Sequence, residues 1–537
     1  MNGTDDTDDT GDVDEKSDKA KGKTIETPAS KRVGMGTQFL ADVPANPFNQ
    51  TEPRNFAPRP RMNGQMPPPV FNLGSRPGTA GTVGVSAPPG SSNSATPVMN
   101  QVAPAVTSQA LILPAIPQGQ VAQVAPGPAA EEVRVTRSEK LNALTSGNNG
   151  LPGATAALHP DNFPFMEGYN LSIPSNYGVV KIKNIPFNSR RTEIIAFLGR
   201  NSRILNDTEE PVHIIMERVT SKTQDAYVEF MTFADAVKAV ERHNELQKKG
   251  RQTRLGDRPV EVELSSQGAL MRDLFPFAAG IFWNGSIPQI QEPVEGQPWK
   301  TFKGFVTEEE MTMLVKFVEA PGRSPFARDC NQRPFETMIS TLKKLPWFAA
   351  EHITIRQRWV IYTATMNLIH LLRRGLNEPN PRREKEDSNL TPQLLKRLYT
   401  AAMLCPGFSV VQKDNIAFAA GWGDANLSQF NQPRFAELWA HQHILVAKPG
   451  VPNDLLEWYI AVIREETTRH MGTQSLTYRR NAFQLRDAAQ ERGYFGFLWL
   501  ELGFPEATEL GKMTLKEVAM REIAMIEGVL SRAFLGN

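Results

Sequence analysis

The placement of the tryptophans constrains where this chain can build a large core, because all eight lie between Trp283 and Trp499. From Pro77 to Ala130, by contrast, there is neither a charged nor an aromatic residue. Fixing a residue's backbone costs roughly 1–2 kcal/mol, and so apolar-poor a tract buries too little surface to offset it. Residues 1–170 are therefore expected to form a disordered tail, with Ala110 to Ile116 as its one short apolar run. The large core must sit downstream.

Several downstream stretches have helical periodicity: Glu308 to Val318 after Thr307 as a cap, Pro334 to Leu345, Ile355 to Arg373, Pro392 to Leu404, Asp454 to Thr468 and Thr514 to Phe534. In the last, Leu515, Val518, Ile523, Ile526 and Leu530 share one broad face. Residues 301–537 are read as a mostly helical domain of unassigned role, suited to protein partners. The charged stretch Asn377 to Asn389 reads as an exposed loop within it.

Between Tyr177 and Ser266 the patterns run strand, helix, strand, strand, helix, strand. Val179 to Ile185 alternates, Ser189 is placed to cap a helix with Ile194, Ile195 and Leu198 inward, and Val212 to Met216 and Ala226 to Phe230 read as strands. A second helix, Ala234 to His243, turns Val237 and Val240 inward, before Val260, Val262 and Leu264 alternate with Glu261 and Glu263. This is the split βαβ, ferredoxin-like order. The fold class is thus α+β: one βαββαβ domain at 172–268, a linker or packing segment at 269–300, and the helical domain.

Val180-Lys-Ile-Lys-Asn-Ile185 and Thr223-Gln-Asp-Ala-Tyr-Val-Glu-Phe230 resemble the first- and third-strand signatures of the RNA recognition motif (RRM) family. Such domains stack bases on aromatics that project from the sheet. Period two turns Val180, Ile182, Ala226, Val228 and Phe230 toward the helices, which leaves Lys181, Lys183, Asp225, Tyr227 and Glu229 on the face expected to be open. Two usual stacking positions are then Lys181 and Asp225, a plausible cross-strand ion pair, and only Tyr227 remains as a platform. Carboxylates at Glu229, Glu261 and Glu263 repel phosphate.

The loops have the opposite character. Phe187, Arg190 and Arg191 follow the first strand, Arg218 and Lys222 lie between the second and third, and Arg254 and Arg258 precede the fourth. Aromatic and guanidinium groups in this mixture stack splayed bases and bind phosphates without the sheet. With Asp225-Ala-Tyr-Val-Glu229, this is similar to the quasi-RRM class of heterogeneous nuclear ribonucleoproteins F/H and epithelial splicing regulators. That resemblance implies loop-mediated binding of single-stranded, guanine-rich RNA through Phe187 and Arg258, with Lys183 as a further basic contact. Pro259 stands where that class usually has an aromatic.

The expected RNA-binding set is therefore Phe187, Lys183, Arg190, Arg191, Arg218, Lys222, Tyr227, Arg254 and Arg258. The net charge is only +1, so affinity has to come from this local cluster. The competing expectation is a protein scaffold that holds a peptide on the acidic sheet face or the helices. A weaker one makes Arg373, Arg374, Arg382 and Arg383 a second RNA surface.

No nucleophile motif or phosphate-binding glycine loop occurs, and His441 and His443 lack a third regularly spaced ligand, so no enzyme, metal site or cofactor is expected. Cys330 and Cys405 have no paired spacing, which suits a reducing compartment. The acidic N-terminus is unlike a secretory signal, and Trp359 to Leu372 is too short and too interrupted to span a bilayer. The partners expected are messenger RNA or its precursor and proteins, without membrane. Family analogy implies a nuclear regulator of mRNA processing or fate that shuttles to the cytoplasm.

Overall fold

The computed structural model describes residues 137–147, 150–377, 389–421, 424–488 and 490–534. Most of the expected tail, residues 1–136 with the run Ala110 to Ile116, lies outside them. Its last part does not fit the expectation. Helix α1 (Glu139–Leu144), capped by Ser138, and strand β1 (Phe165–Glu167) are ordered elements, and β1 pairs antiparallel with Leu445–Ala447. The reason is apolar: Leu141, Leu144, Ala157 and Phe165 are buried in a C-terminal core with Trp439, Tyr459 and Leu530.

The ferredoxin-like order then follows: β2 (Gly178–Lys183), α2 (Arg191–Leu198), β3 (Val212–Met216), β4 (Thr223–Phe230), α3 (Phe233–Lys248), the small hairpin β5 (Arg254–Leu255) and β6 (Arg258–Pro259), and β7 (Glu261–Ser265). The sheet order is β3-β4-β2-β7, all antiparallel, which is an RRM-like topology. Val180, Ile182, Ala226, Val228 and Phe230 pack with Ile194, Leu198, Ala236 and Ala239, so the alternation read from the sequence places these side chains on the helix face. Two details differ. Leu264 is exposed on the edge strand, and Arg190 rather than Ser189 stands at the N-cap of α2, where the Glu193 carboxylate accepts its backbone N–H at 3.0 Å.

The other sheet face is not open. After β7 the chain forms α4 (Gln267–Leu274), the hairpin β8 (Ile281–Asn284) and β9 (Ile287–Ile290), α5 (Glu308–Glu319) and α6 (Arg333–Lys344). Val179, Ile215, Met216 and Tyr227 share one continuous core with Leu270 and Leu274 of α4 and Phe335, Met338 and Leu342 of α6. The sheet is therefore the middle layer of three, with α2 and α3 on one side and α4 and α6 on the other.

The remainder is helical: α7 (Ile355–Asn377), α8 (Pro392–Met403), α9 (Val410–Ala420), strand β10 (Leu445–Ala447), α10 (Asn453–Met471), α11 (Leu476–Asp487) and α12 (Leu515–Phe534). All six helices expected from periodicity are present. Thr307 and Glu310 form a reciprocal capping box on α5, which satisfies two otherwise orphan N–H groups. Arg382 and Arg383 lie outside the described residues, while Arg373 donates to the Ala419 carbonyl at 2.5 Å. No helix among the described residues is long and apolar enough to cross a membrane.

Candidate nucleic-acid interface

The sheet face that carries bases in ordinary RRMs is here a buried polar seam. Tyr227 is 1% exposed and its hydroxyl donates to the Asp273 carboxylate on α4. Burial first, and then the hydrogen bond to Asp273, push the phenol up to about 12. Lys181 pairs with Asp225 at 3.3 Å and with Asp273 at 3.1 Å. Tyr227 is thus corrected from open platform to packed interior, because α4 closes over it.

Glu229 is likewise no surface acid. Its carboxylate meets Lys344 of α6 at 2.8 Å, Gln267 of α4 at 2.6 Å and the His213 ring at 3.0 Å. The other nitrogen of His213 lies 2.9 Å from the Ser340 hydroxyl. Burial alone would push the Glu229 carboxyl up, but the Lys344 ammonium and the His213 hydrogen bond more than offset it and hold it well below the usual carboxylate range. A peptide or base reaches this face only if the helices leave it.

Two expected basic contacts also turn inward. Arg218 is buried, donating to the Leu274 carbonyl at 2.9 Å and to Glu310 at 3.4 Å. Arg191 is buried against Asp207 and Glu210. Both guanidiniums serve packing, since each meets a carboxylate supplied by a neighbouring element or loop. Lys183 is half-exposed and held by Glu263 at 2.6 Å, Arg190 is half-buried at its cap, and Arg254 is exposed with its guanidinium on Gln252 at 3.0 Å.

What converges is the rim at one end of the sheet. The Arg258 guanidinium lies 5.0 Å from the centroid of the Phe187 ring, and the Lys222 ammonium 5.5 Å from it. Three separate loops thus meet on one aromatic. Asn184 makes this possible: it adopts the left-handed conformation (φ 60°), which Asn tolerates, and its side-chain amide donates to the Pro259 carbonyl at 2.9 Å. Arg258 also donates through its guanidinium to the Ile185 carbonyl at 3.1 Å, which anchors that group beside the ring.

Residues 176–285 match the family model of a domain of unknown function (DUF8400), and residues 302–422 match that of a second (DUF8399). The first match runs past β7 through α4 and β8. No curated protein matches the chain. Among solved structures, the crystal structure of the Glorund qRRM2 domain is similar at 24% identity, covering 18% of this chain and 99% of that one, with a TM-score of 0.16.

Sequence reasoning missed the second domain's share of the rim. Phe326, in the short helix Pro325–Asp329, meets Phe187 edge to face with centroids 5.5 Å apart. The Cys330 thiol donates to the Phe187 carbonyl at 2.9 Å, and the Arg333 guanidinium donates to the carbonyls of Phe187 and Ser189. Nothing local in the sequence links positions so far apart.

Proposed function

We propose that this protein binds single-stranded RNA at the rim formed by Phe187, Arg258 and Lys222, with the sheet acting as a structural layer. The observation that carries this reading is an aromatic ring with two cations over it at 5.0 and 5.5 Å. Moreover, Phe187 belongs to none of the four apolar clusters among the described residues. A half-exposed ring that no core claims, flanked by a guanidinium plane and an exposed lysine, suits splayed bases and a phosphate backbone. The quasi-RRM resemblance of Asp225-Ala-Tyr-Val-Glu229, Phe187 and Arg258 supports the same site. On this reading the protein is a regulator of mRNA processing or fate acting in the nucleus.

The scaffold reading in its acidic-face form loses its surface, since α4 and α6 of the same chain occupy that face. The test is anisotropy of a labelled random single-stranded RNA pool with the full chain, wild type against the Phe187→Ala/Arg258→Ala double variant. Stacking contributes about 1–3 kcal/mol per base, so the double variant is expected to lose at least about tenfold in affinity. Unchanged affinity in a folded double variant would sink the rim model.

A further inference from the structure

Phe187 and Phe326 come from different domains, yet each ring stands outside the four apolar clusters of the described residues. Both are half-buried, so each offers surface without being needed for a core. Their planes are inclined at 72°. Bases lying on the two rings therefore cannot remain stacked on one another.

Basic residues accompany both rings. The Ser324 hydroxyl donates to the Thr220 carbonyl at 2.7 Å, which moors the turn Pro321–Arg323 beside the β3–β4 loop that carries Lys222. Arg323 is exposed, and neither it nor Lys222 nor Arg258 makes an ion pair among the described residues. Cations thus flank the first ring from the β5–β6 hairpin and the β3–β4 loop, and an exposed arginine precedes the second ring by three residues.

We infer that the nucleic-acid site is composite: Phe326 and Arg323 of the second domain hold the nucleotide next to the one on Phe187, so that two consecutive bases are splayed apart. This rests on the rim reading above and extends it from one nucleotide position to two. The ligand class is single-stranded RNA able to unstack at one step; a continuous duplex cannot present its bases to rings at this angle. Arg323 supplies a phosphate contact and Phe326 a stacking face.

The experiment titrates the full chain with the labelled single-stranded pool over a range of salt, comparing wild type, Phe326→Leu, Arg323→Ala and the Phe187→Ala/Arg258→Ala variant. Leucine keeps apolar packing against Phe187 but offers no π-face. Phe326→Leu is expected to weaken binding by about tenfold, and Arg323→Ala to reduce the salt slope by about one. Wild-type affinity and salt slope in both variants, with weakened binding in the Phe187/Arg258 variant, would overturn the composite site and leave the rim reading standing. A wild-type chain that fails to retain RNA at low salt would overturn both.

Discussion

Arg333 on α6 donates to the carbonyl oxygens of Phe187 at 3.3 Å and Ser189 at 2.7 Å, and through Nε to the Thr223 hydroxyl at 3.1 Å. One fully buried guanidinium therefore ties the middle and the C-terminal part of the β2–α2 loop to the start of β4. Glu336 balances its charge one turn along α6. The helical domain shapes the rim as a preorganised surface, which lowers the ordering cost of any strand that binds there.

Arg333→Lys tests this positioning role. An ammonium cannot reproduce the three hydrogen bonds of the planar fork, so the Ser189 carbonyl loses its donor, while that of Phe187 keeps the Thr223 hydroxyl and the Cys330 thiol. Because Arg333 is 0% exposed, it makes no phosphate contact. The variant is expected to bind RNA several-fold more weakly with an unchanged salt slope, whereas Arg258→Ala changes the slope. Faster amide exchange across residues 187–190 would accompany it; a changed slope in Arg333→Lys would contradict the positioning role.

Tyr227→Phe separates the sheet from the rim. Removing the hydroxyl takes away one bond to Asp273, which keeps Lys181 at 3.1 Å. Stability is expected to fall by about 0.5–1.5 kcal/mol in urea unfolding. RNA affinity is expected to stay at the wild-type level. A loss of affinity without a loss of stability would return the binding site to the sheet.

The segment 172–268, read from sequence as a free-standing domain, is expected to behave poorly alone. Cutting there removes most of α4 and all of α6, and uncovers Val179, Ile215, Met216 and Tyr227 on one face. Exposed contiguous apolar surface of this kind promotes association. The fragment is predicted to bind a hydrophobic dye and to sediment as aggregates, while a chain continued through Leu345 does so less. A monomeric, dye-negative 172–268 fragment would show that the seam is dispensable.

The strand faces were legible because period two is a property of the backbone, and the rim was legible because Phe187, Lys222 and Arg258 are conspicuous loop residues. What covers the second face was not. Lys181, Asp225, Tyr227 and Glu229 read as a solvated polar row, but a row matched by Asp273, Gln267 and Lys344 has the same local pattern. Partners supplied from far along the chain leave no local trace. Arg218 misled in the same way, since its complement is Glu310 on α5. The periodicity of α12 was strong because it buries a broad face with Leu515, Val518, Ile526 and Leu530, whereas α1 and β1 are too short to show a period.

The Glu229 seam makes the acid stability of the chain predictable. Its carboxyl is held below its ordinary value of 4.5, so the folded state keeps it ionised where the unfolded chain takes up a proton. Stability from this group is therefore fully present above about pH 4.5 and is lost as pH falls toward the depressed folded value. Glu229→Gln leaves Lys344 buried without its carboxylate, which costs roughly 3–5 kcal/mol at neutral pH. Below the window, protonated Glu229 resembles glutamine, so the gap between wild type and variant is expected to close as the solution is acidified. Thermal melts of both chains at a series of pH values measure this gap, and one that stays constant from neutral to acid pH would remove Glu229 as the ionised centre of the seam.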